Sequence, residues 1–250
     1  MKKYLPIAVT FGFALLATLF FKVAFKGVTP EREDKRQPTE TTNLPALLDQ
    51  IPGTMIPLPE PLTDGTVSIE KALSQRRSIR SYVNQPLNLE EVSQLLWAAQ
   101  GINNERGFRT APSAGATFPL ELFVMVNNVK GLSKGIYHYK VGDHQLELID
   151  QRELENELAR AALSQSMISK AGIVIIFAAI YERTTNRYGE RGIRYIHNEV
   201  GHVGQNIHLQ AAALNLGTVV IGAYRDEEAE ALLKLGEEYR VLYFMPVGKI

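Results

Sequence analysis

Two absences bound what this sequence can encode. It contains no cysteine, and it carries no net charge, since 27 Lys and Arg residues balance 27 Asp and Glu residues. Without cysteine, the chain cannot form disulfides, thiolate metal sites or a thiol nucleophile. Without net positive charge there is no overall field to hold nucleic acid, so any anion-binding site must be local. We therefore expect no nucleic-acid partner.

The sequence also has no internal repeat and no Gly-x-Gly-x-x-Gly motif. The missing motif argues against a separate dinucleotide-binding domain, because such domains use it to bring backbone close to a pyrophosphate. With 250 residues, of which 45% are hydrophobic, the chain is long enough for one globular domain with extensions.

One uncharged and mostly apolar run is present, from Tyr4 to Phe21, and Lys2 and Lys3 precede it. Such a run is typical of a signal peptide or a single membrane helix. No convincing small-x-small cleavage site follows, so we predict an uncleaved membrane anchor over residues 1–26, with a cleaved signal peptide and a core helix as alternatives. The two lysines predict a cytoplasmic N-terminus, with the rest of the chain on the extracytoplasmic side.

The composition changes after the apolar run. Residues 27–43 are charged and polar without an aromatic residue, which is typical of a flexible linker. The globular domain is predicted over residues 44–250. It opens with a proline-rich stretch, residues 44–65, which we interpret as an extended arm over its own domain or a partner subunit.

Caps and periodicity predict the elements of the domain. Ser68 is placed to cap a helix over 69–75, and Asn88 with Glu91 forms a capping-box pattern before a helix that Gly101 ends. Hydrophobic patterns and turn residues predict strands over 120–126, 172–180, 218–224 and 240–250, a hairpin over 135–149, and helices over 152–163, 193–214 and 226–235, the last capped by Asp226. This mixture predicts an α+β domain rather than a regular βαβ array.

A cluster of cationic side chains follows the first predicted helix, where Arg76, Arg77 and Arg80 surround Ser78. Guanidinium groups and a hydroxyl together bind a dianionic phosphate monoester through charge-assisted hydrogen bonds. The alternative is a basic helix end that complements the helix dipole. The spacing alone fits both interpretations.

Five segments occur in the order that they have in nitroreductase-like flavoproteins: RRSIRSY (76–82), LLWAAQGI (95–102), RTAPSAGATFPLELFVMV (109–126), RYGERGIRYIHNEVGHVGQNIHLQAAALNLGTVVIGAY (187–224) and PVGK (246–249). Within that superfamily the sequence most resembles the SagB-type dehydrogenases, from about residue 56 to the C-terminus. The resemblance implies a nitroreductase-like α+β fold, with a central antiparallel sheet flanked by helices. It also implies an intertwined homodimer that binds FMN at the dimer interface.

The same resemblance implies where FMN would bind. Arg76 and Ser78 would hold the phosphate, Arg77 and Arg80 would lie near the phosphate or ribityl chain, and Lys249 would join them. The isoalloxazine ring would be lined by small residues and backbone, namely Pro112, Ser113, Ala114, Gly115, Gly222 and Ala223, the last two with N–H groups near flavin N5 and O4. Many nitroreductases have Asn at the position of Ala116, so one polar contact to the ring is absent or comes from Thr117.

Two residues before the long helix bear on catalysis. SagB-type enzymes that oxidise azolines in peptides resemble this region but tend to carry a Lys-Tyr pair where this chain has Arg187 and Tyr188. Arginine does not give up its proton, so base catalysis by Arg187 is not expected. Tyr188 is the candidate acid/base residue, and an ordinary packed aromatic is its alternative.

The long helix carries polar residues at helical spacing, Glu199, His202 and Asn206. Its histidines, His197, His202 and His208, point different ways around the helix, so we predict no metal site. We interpret the polar face as a satisfied network inside the dimer core. The alternative is that Gln205 and Asn206 reach the cofactor.

These observations predict an FMN-dependent oxidoreductase. It would transfer hydride through flavin N5 to or from a small molecule or a peptide-derived substrate, with NADH or NADPH as a transient donor. FMN would carry the chemistry, so no side-chain nucleophile is required. The alternative is a catalytically degenerate flavin-binding scaffold or a membrane-tethered interaction scaffold.

Overall fold

A computed structural model describes residues 50–250, and these residues form a seven-stranded sheet of order β1-β4-β3-β2-β5-β7-β6. Every pair of neighbouring strands is antiparallel. The strands are β1 (Met55–Pro57), β2 (Leu120–Val126), β3 (Gly135–Lys140), β4 (Gln145–Asp150), β5 (Ile173–Ala179), β6 (Leu216–Thr218) and β7 (Arg240–Lys249). The helices are α1 (Ile69–Gln75), α2 (Leu89–Gln100), α3 (Glu155–Ala161), α4 (Met167–Lys170), α5 (Glu182–Tyr188), α6 (Arg191–Ala213) and α7 (Asp226–Leu233).

This architecture confirms the predicted α+β fold with a central antiparallel sheet flanked by helices. The predicted linker, residues 27–43, and the first residues of the predicted domain, 44–49, lie outside the described residues. The intertwined homodimer stays a prediction.

The predicted localisation is corrected by the structure. Within residues 50–250, no helix combines the length and the apolar composition that crossing a bilayer requires. This finding contradicts the predicted membrane-anchored, extracytoplasmic localisation, which we withdraw. The segment predicted as the anchor, residues 1–26, lies outside the described residues.

The sheet buries both of its faces. Side chains alternate along β2, so Leu122 and Val124 pack in one hydrophobic cluster with α2 and α6, whereas Phe123 and Met125 pack in a second with α3, α4 and α7. The central strand β5 is buried along its whole length. Helices α2 and α6 therefore form the layer from which most of the candidate site is built.

The capping signals are confirmed at both early helices. Ser68 Oγ accepts from the Lys71 N–H at 3.2 Å. At α2, Asn88 Oδ1 accepts from the Glu91 N–H at 2.8 Å, and Glu91 Oε2 accepts from the Asn88 N–H at 3.0 Å. These reciprocal bonds satisfy N–H groups that have no partner within the helix.

The strand predicted over 218–224 is only partly present, because β6 ends at Thr218. The register of β6 on β7 places Val219 opposite Pro246, and proline has no N–H to donate to the ladder. Pairing resumes at Ile221, which exchanges two backbone hydrogen bonds with Phe244, of 2.8 and 3.0 Å. The chain then turns into α7.

Three helix starts also differ from the prediction, of which α6 begins at Arg191 rather than at residue 193. The cap of α7 is Arg225, and Asp226 is the first helical residue. Helix α3 begins at Glu155 rather than at residue 152. The Arg152 N–H and Nε donate to the Asp150 carboxylate at 2.9 and 2.7 Å, which holds this stretch in a turn.

The described part of the proline-rich arm pairs with its own domain. Strand β1 lies at the edge of the sheet, antiparallel to β4, and Ile56 is fully buried. An edge position is where proline is tolerated in a strand. This placement favours the interpretation in which the arm covers its own domain.

Candidate functional site

The segment that carries the arginine cluster crosses the end of the sheet. Helix α1 ends at Gln75, and the Ile79 N–H then donates to the Thr218 carbonyl at 2.9 Å. Further along, the Val83 N–H donates to the Lys249 carbonyl, also at 2.9 Å. The Tyr82 hydroxyl lies within hydrogen-bond distance of the Ile79 and Pro246 carbonyls, at 3.0 and 3.1 Å. The segment is therefore fixed to β6 and β7 before any ligand binds.

The four side chains of the cluster do not share one environment. Arg77 donates to the Ser74 and Arg76 carbonyls at 3.1 and 2.7 Å, and it lines a cavity of about 450 Å³ together with Ile79 and His208. Arg76, Ser78 and Arg80 do not line that cavity. Among the described residues, the guanidinium groups of Arg76 and Arg80 have no hydrogen-bond or ion-pair partner.

Lys249, at the end of β7, forms an ion pair with Glu91 Oε1. The other oxygen of that carboxylate belongs to the capping box of α2. The side chains of Lys249 and Glu91 are 26% and 12% exposed, so the pair is largely shielded from solvent. The end of β7 is thus held to the start of α2. The contact of Lys249 with a phosphate stays a prediction.

The segment Pro112–Gly115, predicted to line the ring, forms a tight turn. Gly115 has φ +61°, and Ala116 follows with φ +53°. A Cβ atom on Gly115 would collide with the Tyr188 hydroxyl and lie 2.9 Å from Arg187 Nη1. The close approach of these two side chains, at a positive φ that residues with a side chain rarely adopt, therefore favours glycine here.

Arg187 and Tyr188 contact this turn from the end of α5. Arg187 Nη1 donates to the Gly115 carbonyl at 3.1 Å. The half-buried Tyr188 ring packs edge-on against Tyr195 with ring centres 5.2 Å apart. Arg187 therefore orients the predicted ring-lining turn, and the candidate acid/base hydroxyl of Tyr188 lies beside it.

A buried polar network supports the same turn from the side of α2 and α6. Glu199, on α6, is 2% exposed, and its Oε1 accepts from Gln100 Nε2 at 3.4 Å. Gln100 Oε1 accepts from Arg109 Nη1 at 2.8 Å, and the Arg109 guanidinium lies 4.4 Å from the centre of the Phe118 ring. Ser113 Oγ accepts from the Phe118 N–H at 3.0 Å. The sequence interpretation missed Gln100 and Arg109.

The electrostatics of this network follow from its burial. Burial raises the pKa of the Glu199 carboxyl above its ordinary value, against the opposing effects of the Ser113 and Gln100 hydrogen bonds and of the Arg109 charge. Burial likewise lowers the pKa of Arg109, which nearby carboxylates partly offset. The network thus contains a carboxyl group that is easier to protonate than one in water.

The remaining polar side chains of α6 are either hydrogen-bonded inside the domain or exposed to solvent. Asn206 Nδ2 donates to the Ala98 and Thr110 carbonyls at 3.0 and 3.4 Å, which joins α2, α6 and the connection after α2. Glu199 and Asn206 are thus each hydrogen-bonded within one chain, to different partners, and their place inside a dimer core stays a prediction. His202 and Gln205 are exposed.

Gly222 and Ala223 follow the Ile221 bridge and are both exposed. Their N–H groups have no acceptor among residues 50–250. The Ala223 carbonyl accepts from Gln165 Nε2 at 2.9 Å, which holds the backbone in place. Two free donors are thus presented at one edge of the domain.

The predicted site residues form two groups along α6. Burial, and after it the charge of Arg76, lowers the pKa of His208. Ser113 acts instead on the pKa of Glu199, which burial raises. Nine residues separate Glu199 and His208, which corresponds to roughly 13 Å along the helix axis. One chain therefore brings Gly115, Ser113 and Tyr188 together, and the arginine segment lies nearer the other end of the helix.

Comparison with known proteins relates the chain to one family. The Nitroreductase family model matches residues 73–249. A nitroreductase-family protein of Methanocaldococcus jannaschii is 51% identical over 183 residues, which cover 73% of this chain and 91% of that protein. The trifolitoxin operon protein TfxC of Rhizobium leguminosarum bv. trifolii is 26% identical over 193 residues, which cover 70% of this chain and 54% of TfxC.

A solved structure extends the comparison to three dimensions. The crystal structure of a nitroreductase-family protein from Anabaena variabilis superposes with a TM-score of 0.70 at 28% identity. The match covers 78% of this chain and 41% of that one. Since the family match begins inside α1 and reaches the last residue of β7, it includes every residue group described above, and the chain belongs to the nitroreductase family.

Proposed function

We propose that the chain is an FMN-dependent oxidoreductase of the SagB type, which transfers hydride to or from a small molecule or a peptide-derived substrate. The observation that carries the proposal is the pair of guanidinium groups on Arg76 and Arg80, which have no hydrogen-bond or ion-pair partner within residues 50–250 and which flank Ser78 in the sequence. The protein has no net charge, so two cations without a partner in its described part, on a segment fixed to the sheet, are suited to bind a dianion at that point.

The residues present fit both the phosphate and the ring system of FMN. Arg76, Ser78 and Arg80 would hold its phosphate, with Lys249 close by on β7. The tight turn at Gly115 and the free N–H groups of Gly222 and Ala223 would meet the flat ring system, which offers carbonyl and nitrogen acceptors along its edge. When bound, FMN supplies a two-electron acceptor and donor of hydride.

Residues of this chain would orient the ring and would donate or accept protons. The Arg187 guanidinium holds the Gly115 carbonyl and stays charged, so it acts as an anchor rather than a base. The Tyr188 hydroxyl lies beside that turn and is the titratable group that can donate or accept a proton there. NADH or NADPH would be a transient donor that binds over the ring, since the chain has no separate dinucleotide motif.

The spacing of the two groups along α6 supports a homodimer as part of the proposal. The arginine segment of one copy and the Gly115 turn of a second copy would complete one site between them. In a single chain the two groups lie beside different residues of α6, Glu199 and His208, which are roughly 13 Å apart along the helix axis.

The decisive experiment is to purify the full chain and record its absorption spectrum and its mass in solution. Bound flavin at one equivalent per chain in a dimer is the expected result, followed by loss of the flavin band on anaerobic addition of NADH or NADPH. A colourless protein that does not take up added FMN would refute the proposal. Bound FMN that neither donor reduces would favour the degenerate scaffold.

A further inference from the structure

We propose that Thr184 is a positioning residue, whose buried hydroxyl holds the turn segment, residues 112–118, in the shape that meets the flavin. The inference rests on the proposed function. Thr184 lies on α5 and is 1% exposed, and nothing in the proposed chemistry uses its hydroxyl. It acts through Thr117 of the turn segment rather than on the flavin itself.

The turn segment has a backbone conformation that depends on support. Gly115, Ala116 and Phe118 have φ of +61°, +53° and +45°. Residues with a side chain rarely adopt a positive φ, and such conformations persist only where neighbouring groups hold them. Ala116 and Phe118 therefore depend on the hydrogen bonds that the segment receives.

The hydroxyl groups of Thr117 and Thr184 form a relay with a defined direction. Thr117 Oγ1 lies 3.0 Å from the Ala114 carbonyl, which can only accept, so Thr117 donates its O–H there. Thr117 Oγ1 also lies 2.8 Å from Thr184 Oγ1. Because the single proton of the Thr117 hydroxyl is already used, Thr184 is the donor in this second bond. A hydroxyl of α5 thus fixes the Thr117 side chain and, through it, the Ala114 carbonyl.

Two arginines of α5 reach the same segment from the surface. Arg183 Nη1 donates to the Phe118 carbonyl at 3.0 Å, and Arg187 Nη1 donates to the Gly115 carbonyl at 3.1 Å. Both arginines are exposed, so water competes for their hydrogen bonds. Thr184 is shielded from water, and its loss would leave the Thr117 oxygen without that donor. Of these three contacts, the one from Thr184 is therefore the hardest to replace.

The relay lies on the inner side of the turn segment. The outer residues of the segment are exposed, namely Pro112, Gly115 and Ala116. A flavin would approach them from the solvent side and would not touch the buried Thr184. The relay therefore affects flavin binding by fixing the backbone that the ring meets.

The test measures the dissociation constants of FMN and of riboflavin, which is FMN without its phosphate, for the full-length protein by fluorescence titration. Thr184→Val removes the hydroxyl and nearly keeps the shape of the side chain, whereas Thr184→Ser keeps the hydroxyl. Thr185→Val is the matched control, because the Thr185 hydroxyl donates to the Tyr181 carbonyl within α5, at 3.1 Å. Thermal unfolding of each variant ensures that the affinity is measured on folded protein.

Thr184→Val should raise both dissociation constants by about five- to tenfold, since one buried hydrogen bond is lost. The two ligands should be affected alike, because they share the ring and differ only in the phosphate. Thr184→Ser should restore the affinity, and Thr185→Val should bind both ligands as the wild type does. Adding Thr184→Val to Thr117→Val should cause no further loss, because Thr184 acts through Thr117.

An unchanged FMN dissociation constant in Thr184→Val would overturn the inference and leave the proposed function intact. Equal losses in Thr184→Ser and Thr184→Val would also overturn it, since the hydroxyl would then have no role. A further loss in the double variant would mean that Thr184 does not act through Thr117. If Thr184→Val does not fold, Thr117→Val carries the test, and wild-type affinity in that variant would overturn the inference. A wild-type protein that binds no FMN would refute the proposed function, and the inference with it.

Discussion

The Tyr82 ring lies directly against the backbone of Gly248. A Cβ atom on Gly248 would lie 2.7 Å from Cγ of Tyr82, closer than non-bonded carbon atoms approach. The Tyr82 hydroxyl also lies near the Pro246 carbonyl. Tyr82 therefore packs along the last residues of β7 and fixes the arginine segment to that strand. This contact links the PVGK motif at the end of the chain to the RRSIRSY motif.

Gly248→Ala should therefore displace Tyr82 and loosen the arginine segment. Crowding of this kind typically costs about 1 to 3 kcal/mol of stability. Thermal or denaturant unfolding measures the loss, and FMN affinity should fall with it. Gly142→Ala is the matched control, because a Cβ atom at Gly142 meets nothing within 4 Å. Equal stability of both variants would show that the Tyr82 contact is not tight in solution.

Arg76→Ala and Arg80→Ala should each weaken FMN binding. Each removes a cation that has no partner among the described residues and that we assign to the phosphate. The expected loss is about 1 to 3 kcal/mol per variant, since charge-assisted hydrogen bonds contribute in that range. Fluorescence titration with FMN gives the affinity. The exposed Arg106 provides the control Arg106→Ala, which should bind FMN as the wild type does.

Riboflavin, which lacks the phosphate, distinguishes a phosphate contact from a general loss of structure. The two arginine variants should bind riboflavin as well as the wild type does. A similar loss for riboflavin and FMN would place the phosphate elsewhere on the chain.

Much of the fold could be predicted from the sequence, because helix caps and apolar periodicity depend on residues that are close together along the chain. The caps at Ser68 and Asn88 need only neighbouring residues, and the stripe of apolar residues along α2 reports directly which face is buried. The end of β6 was not predicted, since it depends on Pro246 in a strand 28 residues away. A strand pattern does not reveal which residue lies opposite.

In the candidate site, too, some residues could be predicted from local sequence and others could not. The arginine cluster and the small residues before Gly115 were recognisable as motifs. The support beneath them was not, because Gln100 and Glu199 are 99 residues apart and meet only when α2 packs on α6. Helical spacing singles out Glu199 but not Gln100, and it does not show that the two residues meet.

His144 should make stability depend on pH. Its Nδ1 lies 2.8 Å from the Tyr139 hydroxyl, and its Nε2 lies 2.7 Å from the Ser93 hydroxyl, which suits a neutral ring that accepts from tyrosine and donates toward serine. Burial lowers the pKa of His144 below its ordinary value of 6.5. The unfolded chain therefore binds the proton more readily, so this contribution is complete above pH 6.5 and is lost as the pH falls through the folded-state pKa.

Denaturant unfolding between pH 5 and pH 8 measures that dependence. His144→Gln should be less stable at pH 8 and should show a shallower fall in stability toward pH 5. His197→Gln, which replaces an exposed histidine, is the comparison variant. An unchanged slope in His144→Gln would assign the pH dependence to other groups.

Tyr188→Phe should separate catalysis from cofactor binding. The substitution removes only the hydroxyl beside Gly115 and keeps the ring that packs on Tyr195, so FMN affinity and thermal stability should stay near those of the wild type. Loss of a general acid or base lowers turnover by about a hundredfold or more. Steady-state reduction of a quinone or nitroaromatic acceptor with NADH or NADPH measures the effect, and Tyr195→Phe is the control for a lost tyrosine hydroxyl on the same pair of rings. Wild-type turnover in Tyr188→Phe would make Tyr188 a packing residue, because an aromatic ring without a hydroxyl would then perform its role completely.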